Sequence, residues 1–514
     1  MGNDKMNQNT ILAWKYHDLT KHSYLSVRAT PHYLDWDNKP SPFKIYPDIT
    51  PESLPQEFVR TDTPALEAVA STESSGETRL GLTELASLLY YSAGITKKKS
   101  YPSGEFYFRA AACAGALYPI ETYLVCGDIG GLKAGVYHFD PKDFALRRLR
   151  EGDHRGSLAQ AAAGEPSVVM AQAILVYTAI TWRSAWKYRD RSYRYHFWDN
   201  GMIAANALAV ASTLNLPAKI ILGFTESEVN HLLGIDGRRE LALSLLPIGR
   251  SEAEITVRKD LPELNLRTQP LSKAEVDYPS IRDMHDASSL TESESVALWR
   301  EATIELKPPE PAGELFPLAR SSKERLHADA IDDVIRRRAS TRRFAHKPIS
   351  FAELSVILDR ATRGIPADFL QPAGMQLNDL YLIINSVEGL RSGAYFYRRE
   401  DRALEQLTAG EFREKAAYLA LGQELAGDAS ATIFFMADLK PLLEGFGNRG
   451  YRVAQMEAAI IGGKIYLAAY AIGRGATGLT FYDDDVTDFF SPHAEGKSCI
   501  FVTSIGVPGK RPIY

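Results

Sequence analysis

Residues 173–179 read AILVYTA and residues 431–437 read ATIFFMA. Each is a short, unbroken apolar run, and such a run reads as a strand buried on both faces. The two lie 258 positions apart (431 − 173). The same offset joins Arg191-Ser192-Tyr193-Arg194 to Arg449-Gly450-Tyr451-Arg452, and Asp199 to Glu457. Each then opens a helix of small residues, 204–214 and 462–472, whose alanines and glycines allow backbones to approach closely. Repeats are sought first because a missed one misreads the whole fold.

Other blocks recur in the same order, some at slightly different offsets. Residues 83–92 match 352–361, both with helical apolar spacing. Gly135-Val136-Tyr137-His138-Phe139 matches Gly393-Ala394-Tyr395-Phe396-Tyr397. Gly249 and Gly506 close the copies after apolar strands at 243–248 and 500–505. Between them the sequence turns Pro- and charge-rich, as in Lys307-Pro308-Pro309-Glu310-Pro311, and reads as a connector. The expected architecture is α+β: a domain over 1–250, a connector over 251–328 and a second domain over 329–514. The halves should meet as an intramolecular pseudo-dimer, since a two-fold contact is the commonest oligomer interface.

Composition sets bounds on function. The chain has 514 residues, 45% hydrophobic and 24% charged, which is ordinary for a globular protein. A net charge of -5 with a pI of about 6.2 supplies no global basic field for nucleic acid. The opening residues have no apolar signal core, and Met6 stands where a myristoylation signal needs Ser or Thr. No apolar run reaches the roughly 20 residues needed to span a bilayer. Three cysteines, Cys113, Cys126 and Cys499, form no CxxC pair, so neither a disulfide framework nor a thiolate metal site is expected. A soluble cytoplasmic protein without a metal site is the expectation.

Residues 338–344 read RASTRRF and follow a helical pattern through Ile331, Val334 and Ile335. In an extended segment Arg338, Ser340 and Arg342 point the same way. Two guanidinium forks and a hydroxyl suit a phosphate, each charge-assisted bond being worth roughly 1.5–3 kcal/mol; a solvated basic helix end gives the same pattern. No GxGxxG follows a strand, and Gly462-Gly463-Lys464 lacks the rest of a P-loop.

RASTRRF resembles the Arg-x-Ser-x-Arg phosphate segment of the FMN-dependent nitroreductase family, and Lys510-Arg511 resembles its late basic pair. The resemblance assigns Arg338, Ser340, Arg342, Lys510 and Arg511 to an FMN phosphate. A narrower resemblance covers most of residues 11–250. WKYHDLTKHS (14–23), RAAACAGALYPIETY (109–123) and WKYRDRSYRYHFWDNG (186–201) are similar to the azoline dehydrogenases (SagB/ThcOx type), which oxidise thiazoline and oxazoline rings of ribosomal peptides to azoles. It implies a flavin-ring loop over Cys113, Ala114, Gly115, Ala116 and Leu117, and acid–base chemistry by Lys187 and Tyr188. The family usually has Pro-Ser where this chain has Ala112-Cys113, so a thiol replaces a hydroxyl. A lysine made less basic by desolvation can take a carbon-bound proton, and a tyrosine can donate to a ring nitrogen.

The copies differ in complementary ways. The second has Gly445 and Phe446 in place of Lys187 and Tyr188, and Gln371-Pro372-Ala373-Gly374-Met375 in place of the ring loop. The mirror site would join His17, Lys21 and Arg28 to that degraded loop, though His17 and Lys21 also read as helix-surface residues. The expectation is one good FMN site across the seam, phosphate held by the second half and ring covered by the first. The expected activity is FMN-dependent oxidation of a peptide or small-molecule substrate, with NAD(P)H or oxygen as redox partner. A generic NAD(P)H-fed nitro or quinone reductase and a non-catalytic flavin scaffold are the alternatives.

Overall fold

The computed structural model describes residues 7–29, 32–72, 79–101, 104–253, 255–257, 261–319, 328–371 and 374–509. Five strands of the first half form an antiparallel sheet in the order 145–151, 135–140, 120–126, 173–180, 240–248, with 51–53 at its edge. The second half builds the same order with 403–409, 393–398, 378–384, 431–437 and 498–506. Every one of these five strands begins 258 residues after its counterpart (378 − 120, 498 − 240). The Ala173–Ile180 and Ala431–Ala437 strands are buried along their whole length, as their unbroken apolar sequence requires.

One strand differs between the halves. Gly475–Leu479 adds an edge strand to the second sheet, beside Ser498–Gly506. At the same offset the first half has Pro217, and only isolated bridges from Ala218 and Ile221 reach the Glu240–Ile248 strand. Proline lacks the N–H that a ladder needs.

Each half sends one long helix to the seam, Ser192–Thr213 and Arg449–Ala471. The small-residue stretches expected as helices are the C-terminal halves of these. Their N-terminal turns, Arg and aromatic in composition, are helical too because those side chains are buried between the halves. The two helices cross on small residues. A Cβ on Gly201 would lie 2.5 Å from the Ala459 Cβ, and one on Gly463 would lie 2.6 Å from the Ala205 Cβ. Lys464 lies in the middle of this helix and donates to the Gly364 carbonyl (2.6 Å). One apolar core runs through both halves, from Leu89 and Met202 to Ile460 and Phe501, and a smaller one lies in the first half around Val125, Leu158 and Leu232.

The stretch read as a connector has structure of its own. It carries the helices Pro279–Ala287 and Ser293–Arg300, and its strand Glu314–Pro317 pairs with Ala403–Ala409 as the edge of the second sheet. The helix Pro279–Ala287 stands against the second long helix as Ile11–Leu19 stands against the first. Arg194 donates to the His17 carbonyl and the Thr20 hydroxyl, and Arg452 donates to the His285 carbonyl and the Ser288 hydroxyl.

Candidate active site

The hairpin Ile95–Tyr101 and Gly104–Arg109 leads directly into the loop that carries Cys113 to Leu117. The backbone turns tightly at Ala114–Ala116, with φ of +63° at Gly115 and +53° at Ala116. Gly115 adopts that conformation without strain, whereas Ala116 needs its neighbours to hold it there. Asp199, on the first long helix, is the holder. It accepts from the Ala114 N–H at 2.8 Å and from the Cys113 thiol at 3.2 Å. The thiol in turn accepts from the Tyr118 N–H at 3.1 Å. Leu117 anchors the loop in the core, while Gly115 and Ala116 face outward.

Desolvation raises the Asp199 carboxyl to about 7, against the hydrogen bonds from Ala114 and Cys113. Burial, and secondarily the charge of Asp199, push the Cys113 thiol well above its ordinary value. A thiol held protonated and bonded on both sides anchors a loop and is a poor nucleophile.

Lys187 and Tyr188 end the helix Thr181–Tyr188, and the chain breaks away at Arg189 with φ of +52°. Tyr188 stacks on Tyr195 (centroids 4.2 Å apart), and Tyr195 packs edge-on against Trp198 at 4.4 Å. This aromatic column aims the phenol at the loop. A Cβ on Gly115 would lie 2.7 Å from the Tyr188 hydroxyl and 3.4 Å from the Lys187 ammonium, so the pair sits directly on the glycine. Burial, then the neighbouring Tyr195 and Asp199, raise the Tyr188 phenol well above its ordinary value. Lys187 is exposed as a whole residue, yet partial desolvation, then the positive charges of Arg342 and Lys39, lower its ammonium below the usual value.

Arg342 thus comes from the second half to stand near Lys187 and Tyr188 of the first. It is exposed and has no ion pair among the described residues. Ser340 is half-buried, 3.5 Å from the Tyr466 hydroxyl. Arg338 also braces the seam. It crosses to the first half and donates to the backbone carbonyls of Ala110 (2.9 Å) and Arg109 (3.0 Å), just ahead of the ring-side loop. Residues 507–509 run beside this segment, with Gly509 donating to the Arg343 carbonyl at 2.9 Å and Ala345 to that of Val507 at 2.8 Å. Lys510 and Arg511 lie outside the described residues, as do Pro372 and Ala373 of the opposite loop. The arrangement offers an unpaired guanidinium and a hydroxyl on one side of the seam. On the other it offers an exposed glycine turn under a lysine and a tyrosine. Its donors fit an anionic group attached to a flat ring.

The pseudo-symmetric position is built differently. Glu457 repeats the part of Asp199, accepting from the backbone N–H groups of Leu377 and Asn378 (both 2.9 Å) and raised to about 7 by desolvation. His17 is buried and bonded to Tyr451 (3.3 Å), and Lys21 pairs with Asp18 and Asp484. Arg28 lies over the Tyr24 ring at 3.6 Å. These three are committed to contacts with the protein itself, His17 and Lys21 reaching across the seam.

Sequence reasoning paired Asp199 with Glu457 and Arg191–Arg194 with Arg449–Arg452 without giving them roles. The signal was their identical offset within otherwise apolar helices. Arg191 and Arg194 both reach Asp483 in the other half (2.9 and 2.7 Å). Arg449 and Arg452 reciprocally reach Glu226 (2.6 and 2.5 Å). No group of three or more His, Cys, Asp or Glu side chains able to hold a metal ion occurs among the described residues, and no described helix is long and apolar enough to cross a membrane.

Comparison with known proteins agrees with this geometry. The nitroreductase family profile matches residues 84–250 and again 335–503. A nitroreductase-like protein of Methanocaldococcus jannaschii is 30% identical over 171 residues, 33% of this chain and 81% of that protein. The trifolitoxin-processing protein of Rhizobium leguminosarum bv. trifolii is 33% identical over 183 residues, 34% of this chain. The microcin B17-processing protein of Escherichia coli is 31% identical over 147 residues, 27% of this chain. The chain spans about half the length of these two processing proteins, 48% and 50%. A nitroreductase-like crystal structure from Anabaena variabilis superposes with a TM-score of 0.76 at 26% identity, covering 97% of this chain and 99% of that one. With two matched segments and a sheet built twice, the chain belongs to the nitroreductase family, as two nitroreductase-like domains joined in one pseudo-dimeric polypeptide.

Proposed function

We propose that the chain is an FMN-dependent oxidoreductase of the azoline-dehydrogenase type, with one competent flavin site across the seam. The observation that carries this reading is the meeting of Lys187 and Tyr188 with Arg342 over the Gly115 turn. Similarity to two peptide-processing proteins supports a peptide substrate. When bound, the flavin supplies a hydride acceptor. Arg338, Arg342 and Ser340, with Lys510 and Arg511, would hold its phosphate, and the exposed turn at Gly115 and Ala116 would lie beside its ring. Lys187, made less basic by partial desolvation and by Arg342, removes the carbon-bound proton of the azoline. Tyr188, kept protonated by burial, donates to the ring nitrogen. Asp199 keeps the turn in place beneath both.

A plain NAD(P)H-fed nitro or quinone reductase is the second reading, favoured by the 81% coverage of the Methanocaldococcus jannaschii relative. Purified protein should be yellow, and a thiazoline-bearing peptide should bleach it under anaerobic conditions. Bleaching by NAD(P)H but not by the peptide would favour the second reading. Colourless protein that takes up no added FMN would defeat both.

A further inference from the structure

The hairpin that leads into the ring-side loop presents one face outward. Lys97 pairs across it with Phe108, and Lys99 with Phe106, so these four side chains share a face. The other face carries Tyr107, packed edge-on against the buried Phe43 (5.0 Å), and Lys98, which pairs with Glu105 at 2.5 Å. The hairpin's one acid is therefore occupied by Lys98 on the opposite face. Outward, Phe106 is 42% and Phe108 38% exposed, and Lys97 and Lys99 have no ion pair among the described residues.

A second bank continues this face toward the site. Trp36, 66% exposed, packs edge-on against Trp186 at 5.2 Å. Lys39 bridges the banks, its ammonium 5.7 Å from the Trp36 ring and 5.6 Å from the Phe106 ring. Trp186 immediately precedes Lys187, and Lys39 is close enough for its charge to act on Lys187. Both banks thus adjoin site residues: the hairpin runs into the Gly115 turn, and Trp36 packs on Trp186 of the Lys187 helix.

We propose that this basic, aromatic face is a docking surface for an extended acidic segment of the peptide substrate, beside the site where the reactive ring is held. The proposal rests on the peptide-oxidising reading given above. Charge selects the occupant: Lys39, Lys97 and Lys99, with no acidic partner among the described residues, call for carboxylates. Geometry selects its form. Lys97 and Lys99 are two residues apart on a strand, about 6.4–6.8 Å, which is the repeat of same-side residues in another extended chain. The hairpin is a two-stranded sheet, so it also has strand edges to which a peptide can add. A net charge of -5 gives a nucleic acid no global basic field to add to this face.

The test uses the full-length protein and a fluorescein-labelled decapeptide of alternating Glu and Phe, read by fluorescence anisotropy, with a Lys/Phe peptide, a dT10 oligonucleotide and phosphatidylserine vesicles as comparators. The expected result is binding of the Glu/Phe peptide that weakens about tenfold or more in Lys97→Glu/Lys99→Glu and also in Phe108→Ser. Melting temperature and flavin absorbance should be unchanged in both variants. Equal peptide affinity in wild type and variants overturns the proposal, as does tighter binding of dT10 or vesicles at these residues. Flavin absorbance on the same samples separates the two readings. Flavin without peptide binding overturns the docking surface alone, whereas peptide binding without flavin overturns the oxidoreductase reading and leaves the surface.

Discussion

The guanidinium of Arg194 lies 2.7 Å from the carboxylate of Asp483, and both groups are buried although they belong to opposite halves of the chain. The reciprocal bond joins Arg452 to Glu226. Removing one partner leaves a charge without water or counter-ion, so Arg194→Ala and Glu226→Gln should each cost about 3–5 kcal/mol. Urea denaturation checks this, and a loss below about 1 kcal/mol in both would show that the pairs are dispensable.

The crossing of the long helices makes a second stability prediction. A Cβ on Gly201 meets the Ala459 Cβ and the backbone of Met456 and Ile460. Gly201→Val should force the halves apart and cost about 1–3 kcal/mol or more. The same change at the exposed Gly422, where nothing lies within 4 Å but φ is +73°, tests backbone strain alone. A smaller loss at 201 than at 422 would contradict the close crossing.

Arg338 and Arg342 should separate. Arg342→Ala should weaken FMN binding by about one to two decades, a lost bond of roughly 1.5–3 kcal/mol, without changing the melting temperature. Arg338→Ala removes two bonds across the seam as well, so it should lower both affinity and melting temperature. Absorbance titration with thermal melts of the same samples decides, and identical behaviour of the two variants would count against the division of labour.

Lys187→Ala should cut substrate-dependent flavin reduction in single turnover by about two to four decades, the usual worth of a positioned acid–base group. FMN affinity should barely move, because the phosphate contacts come from the other half. Tyr188→Phe should behave likewise. Turnover within threefold of wild type in both variants would leave only the plain reductase reading.

The Asp199 carboxyl gives a pH signature. Its folded value of about 7 stands above the ordinary 3.8, so between these values the folded chain holds a proton that the unfolded chain has released. Stability from this group is full below about 4 and declines as pH rises toward 7. Asp199→Asn should flatten that decline in melting temperature, leaving the similar contribution of Glu457, also at about 7. An unchanged slope between pH 4 and 7 would show that Asp199 is charged throughout.

Much of the fold could be read from the repeat. Residues 173–179 and 431–437 are central strands: runs of seven apolar and β-branched or aromatic residues suit a strand covered on both sides. The second sheet's edge strand at Gly475–Leu479 was not legible, since GATGL has no strong strand propensity and pairs only because Ser498–Gly506 offers its edge. The helix Pro279–Ala287 was hidden by the charged sequence around it. Its match to Ile11–Leu19 lies in two contacts, through His285 and Ser288, rather than in an apolar pattern. At the candidate site, Lys187, Tyr188 and Gly115 came from family resemblance, and the structure puts them together. Asp199 was visible only as one of a pair, because nothing local reveals which backbone N–H a buried carboxylate will accept.

Joining the two domains in one polypeptide changes what mutation can do to them. In a homodimer every substitution appears twice, so a residue that improves one active site and harms the other cannot be kept for one alone. Here position 187 is lysine while its counterpart, position 445, is glycine, and neither choice constrains the other. The exchanged arginines hold the partners together whatever becomes of either cleft. One cleft can therefore change without altering its neighbour, and at the pseudo-symmetric one His17 and Lys21 are taken up by contacts to Tyr451 and Asp484.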